Sequence, residues 1–505
     1  MPGPRLCATA MADFGLIFDN TYVRELPGFY VAWQPEPIAA PTLLYFNRDL
    51  ATRLGMAADF TDEKALAGLF SGTQLPAGAE SVAQVYAGHQ FGHFSPQLGD
   101  GRALLMGEVV DRLGHRYDLS FKGSGRTPYS RNGDGKAAVG PMLREVLIGE
   151  GMFALGVPTT RALAVVATGL PVYRDRVLPG AILTRVAASH IRVGTFQYFA
   201  ARGEHDRVKR LADYTLARHD PEVMAEPDPY IAWLRAVALR QASLLAQWMS
   251  LGFIHGVMNT DNMSIPGETI DYGPCAFMES YHPDTVFSSI DEGGRYAYRN
   301  QPRIAVWNLS RWAETLLPLL DADKNAAIAR ANEVLEAFSR AYQREWLNRM
   351  RFKLGLTDRE DPDADDHALL TDWLELLKTH QVDFTQAFRR LADVLLGQPE
   401  NLYRLFGNQE ALQHWLTRWQ ARAERSGLTA AARVQVMNAV NPWIIPRNHQ
   451  VEVALAAAQN EGNLEPFLHL LNALKAPYAE NPDFATYAEP APRHYTAAYQ
   501  TFCGT

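Results

Sequence analysis

From residue 80 to 195 glycines break the chain into strand-length apolar pieces, and from about 196 to 475 apolar residues recur at spacings of three and four. Strands gathered ahead of helices imply an α+β molecule. Arg102–Val110 and His115–Lys122 are expected to pair as a hairpin through Asp111-Arg112-Leu113-Gly114. In the second of these, Tyr117, Leu119 and Phe121 alternate with Asp118, Ser120 and Lys122, which turns Lys122 away from the apolar face and toward whatever lies across a cleft. Pro141 opens a helix through about Leu155, with Leu143, Val146, Leu147 and Phe153 as its buried stripe and Arg144 and Glu145 bordering it. Ala162–Thr168 and Ala181–Val186 read as further strands. Tyr230–Ser250, closed by Gly252, and Lys324–Phe352 read as long amphipathic helices. The first 80 residues are Pro-rich, with one helical segment near Asn47–Leu54. The expected organisation is an N-terminal extension (1–80), a small strand-rich lobe (81–195), a larger helical lobe (196–320) and a helical C-terminal extension (321–505).

At 505 residues the chain has room for two to four domain-sized units, and 47% hydrophobic and 21% charged residues suit a soluble globular protein. A net charge of −8 argues against a general nucleic-acid binder, which needs a basic surface to displace counterions. The charge is uneven: between Ser120 and Thr195 ten Lys or Arg stand against four Asp or Glu, among glycine-rich turns. That local excess points to phosphate. Three cysteines (Cys7, Cys275, Cys503) make no disulfide framework. With neither a signal-peptide pattern nor about 18 uninterrupted apolar residues, a cytoplasmic protein without membrane association is expected, and Met11 is a candidate start.

Residues 255–262 read His-Gly-Val-Met-Asn-Thr-Asp-Asn, and Asp271-Tyr272-Gly273 follows nine residues later. Beside a protein-kinase catalytic loop, H-R-D-L-x-x-x-N followed by D-F-G, His255 falls on the His, Asn262 on the metal-binding Asn and Asp271 on the metal-binding Asp. Val257 stands where the catalytic Asp should be. Asn262 and Asp271 are hard oxygen ligands suited to Mg²⁺ or Mn²⁺ on a polyphosphate. Asp261 adds a carboxylate that could serve as base, although Asp261 and Asn262 would equally serve as helix caps. Lys122, ending a strand, and Glu145, 23 residues on in a helix, have the kinase order for gripping nucleotide phosphates. Alone they would be an exposed ion pair of little weight.

Gly99-Asp100-Gly101-Arg102 resembles a phosphate-approaching glycine loop without its third glycine, and fits an ordinary tight turn as well. Asp134-Gly135 sits in a flexible loop, and Arg185 and Arg192 are suited to forking onto phosphate oxygens. His255 is expected to support its loop. His89 and His93 are four apart but lack a third ligand, so packing or capping roles are expected.

Several long strings coincide: Tyr86-Ala-Gly-His-Gln-Phe-Gly92, Pro96-Gln-Leu-Gly-Asp-Gly-Arg102, Lys122-Gly-Ser-Gly125, Thr127-Pro-Tyr-Ser-Arg131, Leu183-Thr-Arg185, Ser189-His-Ile-Arg192, Asn259-Thr-Asp-Asn-Met-Ser264 and Thr269-Ile-Asp-Tyr-Gly-Pro274. Together they resemble the selenoprotein O family, pseudokinase-fold protein adenylyltransferases. The resemblance implies a protein-kinase-like two-lobed fold that binds ATP reversed, so that AMP passes to a Ser, Thr or Tyr hydroxyl of a protein substrate and pyrophosphate leaves. It implies nucleotide contacts from Gly99, Gly101, Arg102, Asp134 and Gly135, and phosphate binding by Lys122, held by Glu145. Arg185 and Arg192 would hold the distal phosphates, Asp261 would accept the proton, and Asn262 and Asp271 would hold the metal. Asp271 would also contact nucleotide. Some members carry selenocysteine where this chain has Cys503, and some pair a terminal cysteine with one near the metal-binding Asp; Cys275 is the nearest candidate here. Three activities compete: AMP transfer (with UMP transfer from UTP and Mn²⁺ open beside it), a divergent protein kinase using Asp261, and a non-catalytic nucleotide-binding scaffold. Val257 weighs against the second, and the retained pair of metal ligands against the third.

Overall fold

The computed structural model describes residues 14–56, 60–357, 364–406 and 409–502. It is an α+β protein built on one antiparallel sheet of eight strands. In chain order the strands are β1 (Tyr30–Ala32), β2 (Thr42–Phe46), β3 (Val82–Gln84), a separate two-stranded ribbon β4 (Gly88–Gln90) and β5 (His93–Ser95), then β6 (Ala103–Val110), β7 (Arg116–Lys122), β8 (Ala137–Ala138), β9 (Arg161–Tyr173) and β10 (Val177–Ala187). The sheet order is β1-β3-β6-β7-β10-β9-β2, with β8 pairing β10. Thus the expected hairpin is β6–β7, and the two later runs are the arms of a long hairpin, β9–β10. Both edge strands come from the stretch read as an N-terminal extension.

Register sets up the site. Lys122 lies opposite Ala103 on one side and Leu183 on the other, and Ser120 lies opposite Arg185. Cross-strand partners share a face, so Lys122 and Arg185 project from the same side of the sheet. The alternate residues Leu119 and Phe121 are buried on the opposite face with Leu50, Leu66 and Phe70. The face bearing Lys122 is covered by helix Val139–Ala154, whose Leu143, Val146 and Leu147 join Leu105, Val165 and Leu183 in the main core.

That helix departs from the expected stripe at both margins. Phe153 is 43% exposed, lying under the Arg161 guanidinium at 3.4 Å from ring centroid to Cζ, so it is not core. Arg144 and Glu145 do not border a solvent edge; both are buried. Arg144 donates to the carbonyls of Gly273 (3.1 Å) and Cys275 (2.5 Å), which replaces its lost hydration with charge-assisted bonds.

The helical part is organised around Pro229–Leu251 and the 30-residue Lys324–Lys353, both close to their expected bounds. Gly252 ends the first at φ 73°, a left-handed conformation that suits glycine. The chain then enters strand β11 (Phe253–Ile254), which pairs with β12 (Ala276–Phe277). This short ribbon pins both ends of the 255–275 loop. A second core gathers Trp373, Trp415 and Trp419 with Phe384 and Phe388.

Lys353 is 3% exposed against that second core, its Nζ 4.6 Å from the Phe388 ring centroid. Burial is the cause that lowers its ammonium to about 7. The unfolded chain keeps that proton to about pH 10.4, so between pH 7 and there it binds more protons than the folded one and stability rises with pH. Lys353→Met is expected to raise the melting temperature by a few degrees at pH 6, with the gain over wild type shrinking toward pH 10 in differential scanning fluorimetry.

Candidate active site

The residues singled out from the sequence line one cleft of about 1080 Å³: Gly99, Gly101, Arg102, Lys122, Asp134, Gly135, Glu145, Arg185, Arg192, Val257, Asp261, Asn262 and Asp271 all face it. They arrive from the sheet, from the helix behind it and from the pinned loop. Lys122 Nζ bonds Glu145 Oε1 in a tight ion pair and reaches Asp271 Oδ1 at 2.9 Å. Arg185 Nη2 donates to Glu145 Oε2 at 2.8 Å and to the same Asp271 Oδ1 at 2.7 Å. Arg192 Nη1 is 4.0 Å from Asp271 Oδ2. All three cations are buried. The Lys–Glu pair is therefore not the exposed contact its parts alone would suggest.

Burial by itself would raise the Asp271 carboxyl, but Lys122, Arg185 and Arg192 outweigh it and hold the group well below the ordinary carboxylate range. Glu145 is lowered for the same reason, with Arg185 and then Lys122 overcoming its desolvation. Both are anions at neutral pH. Asp261 goes the other way: burial lifts it to about 6, only partly offset by Arg192 and Gln90. Arg192 donates to the Asp261 main-chain carbonyl (3.0 Å) rather than to its carboxylate.

Asp271 sits at φ 64°, sparsely populated for a residue with a side chain and tolerated better by Asp than by most. Its neighbours hold it there. His255, buried and stacked on Trp248, meets the Ile270 carbonyl with Nε2 at 2.9 Å. Thr160 donates its main-chain N–H to the Thr269 carbonyl (3.0 Å), tying the loop to the start of β9. His255 is thus the loop support its position implied.

The Thr260–Asn262 segment is a single 3₁₀ turn, so Asp261 and Asn262 cap no longer helix. Asn262 Nδ2 donates to the Val257 carbonyl (2.8 Å), which fixes the amide plane and leaves its oxygen for a ligand. Asp271 has Oδ1 engaged twice and Oδ2 with its nearest cation at 4.0 Å. These two oxygens fit a magnesium-type ion that completes its shell with phosphate and water. Among the described residues no group of three or more His, Cys, Asp or Glu could hold a metal without such help.

The glycine loop is shaped by its neighbour as well as by any ligand. A Cβ at Gly101 would lie 2.7 Å from the Tyr129 carbonyl, and one at Gly99 2.5 Å from the Tyr129 ring. At Gly135 a Cβ would come within 2.0 Å of the Gly125 carbonyl. Asp134 is gripped by Arg174 through two bonds of 2.8 and 3.0 Å. Arg102 makes no ion pair among the described residues and borders the cleft. His89 Nδ1 accepts from Gln197 Nε2 (2.8 Å) and its ring meets Trp307 edge-on, a packed histidine, whereas His93 is exposed.

Sequence reasoning missed contributors from the far end of the chain. Gly140 N–H, in the first turn of the Glu145 helix, donates to Gln459 Oε1 (3.0 Å), from a π-helical turn. Thr501 donates its Oγ1–H to the Pro274 carbonyl (2.7 Å) and its N–H to Phe287 (2.8 Å), so Tyr499–Phe502 also borders the cleft. Separations of 319 and 227 residues leave no local signal for such contacts. Cys275 is buried, its Sγ–H donating to the Tyr272 carbonyl (3.2 Å), and burial pushes the thiol up to about 12. Cys503 lies outside the described residues, as do Cys7 and Met11.

A buried cluster of three cations and two carboxylates thus stands beside two side-chain oxygens, of Asn262 and Asp271, that face the cleft. Residues 14–475 match the family model described as protein adenylyltransferase SelO. The chain is 58% identical over 489 residues to the protein nucleotidyltransferase YdiU of Cereibacter sphaeroides (strain KD131), covering 97% of this chain and 99% of that protein. It is 57% identical to the protein of the same name from Chromobacterium violaceum (95% and 100% covered) and 53% to that of Rhizobium johnstonii (97% and 97%). The chain belongs to the SelO family and is an enzyme of the nucleotidyltransferase class. Among the described residues no helix is long and apolar enough to cross a membrane.

Removing Glu145 would strand two buried cations on one carboxylate. Glu145→Ala is therefore expected to cost about 3–5 kcal/mol in urea unfolding; a loss below about 1 kcal/mol, the scale of an exposed pair, would contradict this packing.

Proposed function

We propose that this protein transfers AMP from ATP to Ser, Thr or Tyr hydroxyls of protein substrates, within a protein-kinase-like two-lobed arrangement and with ATP reversed relative to an active kinase. One observation carries this reading: Lys122, Arg185, Arg192 and Asp271 converge in a cleft that also holds Asp261, a carboxylate without an ion pair among the described residues, while Val257 occupies the usual catalytic position. The distal phosphates lie against the three cations. Asn262 and Asp271 would hold Mg²⁺ or Mn²⁺, which would offset phosphate charge. Gly99, Gly101, Arg102, Asp134 and Gly135 line the nucleotide.

With the chain reversed, the α-phosphorus faces the acceptor. The hydroxyl oxygen bonds to Pα, its proton passes to Asp261, the bond from Pα to the bridging oxygen of the β-phosphate breaks, and pyrophosphate departs. Asp261, at about 6, is ionised yet basic enough at neutral pH to take that proton. Val257 offers no base to a hydroxyl arriving at the usual kinase position, and the cleft is large enough for a nucleotide together with an acceptor segment.

The test uses ATP labelled at either the α- or the γ-phosphate, Mg²⁺ or Mn²⁺, and casein as acceptor. Label is expected from α-ATP alone, and Lys122→Ala or Asp271→Ala is expected to lower the rate at least about 10²-fold, the scale of one preorganised contact. Label from γ-ATP would make the protein a kinase. Near-wild-type labelling by Asp271→Ala would remove its place in the site.

A further inference from the structure

The ribbon β4–β5 stands apart from the eight-stranded sheet and lies directly over the 259–262 turn. Its hairpin is tight, with Gln90 opposite His93 and with Phe91 and Gly92 both at positive φ, 52° and 88°. Main-chain groups along it dock to side chains of the turn. His89 N–H donates to Thr260 Oγ1 (2.7 Å) and Phe91 N–H to Asn259 Oδ1 (3.1 Å). Thr260 in turn donates to Gln197 Oε1 (2.6 Å), whose amide nitrogen meets His89. The ribbon and the turn therefore form one fixed body.

Two ribbon residues touch the Asp261 carboxylate. Gln90 Nε2 donates to Oδ2 at 3.3 Å. Gly88 crosses the other oxygen so closely that a Cβ there would lie 2.5 Å from Oδ1. Oδ1 has no hydrogen-bond partner among the described residues. A carboxylate turns about a broad, roughly two-fold torsion, so without a partner its two oxygens would exchange freely. Gln90 breaks that equivalence. A neutral amide does so without cancelling the negative charge, which a Lys or Arg at this position would do.

We propose that Gln90 is a positioning residue for the transfer step: from the β4–β5 ribbon it holds the Asp261 carboxylate in the orientation that receives the acceptor proton, with Gly88 supplying the space. The proposal rests on Asp261 being the proton acceptor. Gln90 acts through Asp261 and leaves the phosphate end of the cleft untouched, so its loss falls on kcat and spares KM for ATP.

The test is a double-mutant cycle on the full-length enzyme with α-labelled ATP and casein, comparing wild type, Gln90→Ala, Asp261→Asn and the double variant. Gln90→Ala is expected to lower kcat about tenfold or more, the scale of one bond to a charged group, with KM for ATP and the melting temperature unchanged. In the Asp261→Asn background Gln90→Ala is expected to have no further effect. Gly88→Ala, measured beside them, is expected to lower kcat in the same way. A Gln90→Ala enzyme with wild-type kcat, one with raised KM at unchanged kcat, or a full loss persisting in the Asp261→Asn background would each overturn the proposal. Asp261→Asn at the wild-type rate would instead remove the proton acceptor itself, while the label from α-ATP still reports whether nucleotidyl transfer occurs.

Discussion

Asp271 Oδ1 accepts from Lys122 and Arg185 at once, and Glu145 binds the far side of both. The rest of the site follows from the need to keep that knot together. Lys122 and Arg185 come from neighbouring strands in register, Glu145 from the helix laid across them, and Asp271 from a loop anchored elsewhere. Each buried charge is tolerable only because the others are present. Displacing the helix or the loop would leave buried charge unpaired, so the knot ties the sheet, the Glu145 helix and the 255–275 loop to one another.

Three cations (Lys122, Arg185, Arg192) face two carboxylates (Glu145, Asp271) in this region. Their N–H groups are held in place by these carboxylates, so the donors that face the cleft are already oriented. Asp261 lies in the same cleft but in a different electrostatic setting: its neighbours contribute a carboxamide and a bond to its main chain, not a direct cation. Two aspartates ten residues apart are thereby given opposite acidities. One is held well below the ordinary carboxylate range by its cations, and burial lifts the other to about 6.

Local rules made much of this legible. The alternation in β7 set the side from which Lys122 projects, and the spacing of Asn262 and Asp271 picked out the loop that the β11–β12 ribbon pins. Helices Pro229–Leu251 and Lys324–Lys353 were visible because their apolar periods are long. Local rules failed where tertiary contacts decide. Phe153 matches the apolar stripe yet lies outside beneath Arg161, and Arg144 breaks the stripe yet is buried because two loop carbonyls await it. Gln90, Gln459 and Thr501 reach the site through partners between 171 and 319 residues away, a distance over which hydrophobic period and turn chemistry carry no information.

A crystal structure with Mg²⁺ and an ATP analogue that cannot be split between the α- and β-phosphates tests the account most directly. It is predicted to show the β- and γ-phosphates against Lys122, Arg185 and Arg192, with the α-phosphorus turned toward Asp261. A γ-phosphate turned toward Asp261, with the α-phosphate among the three cations, would contradict it.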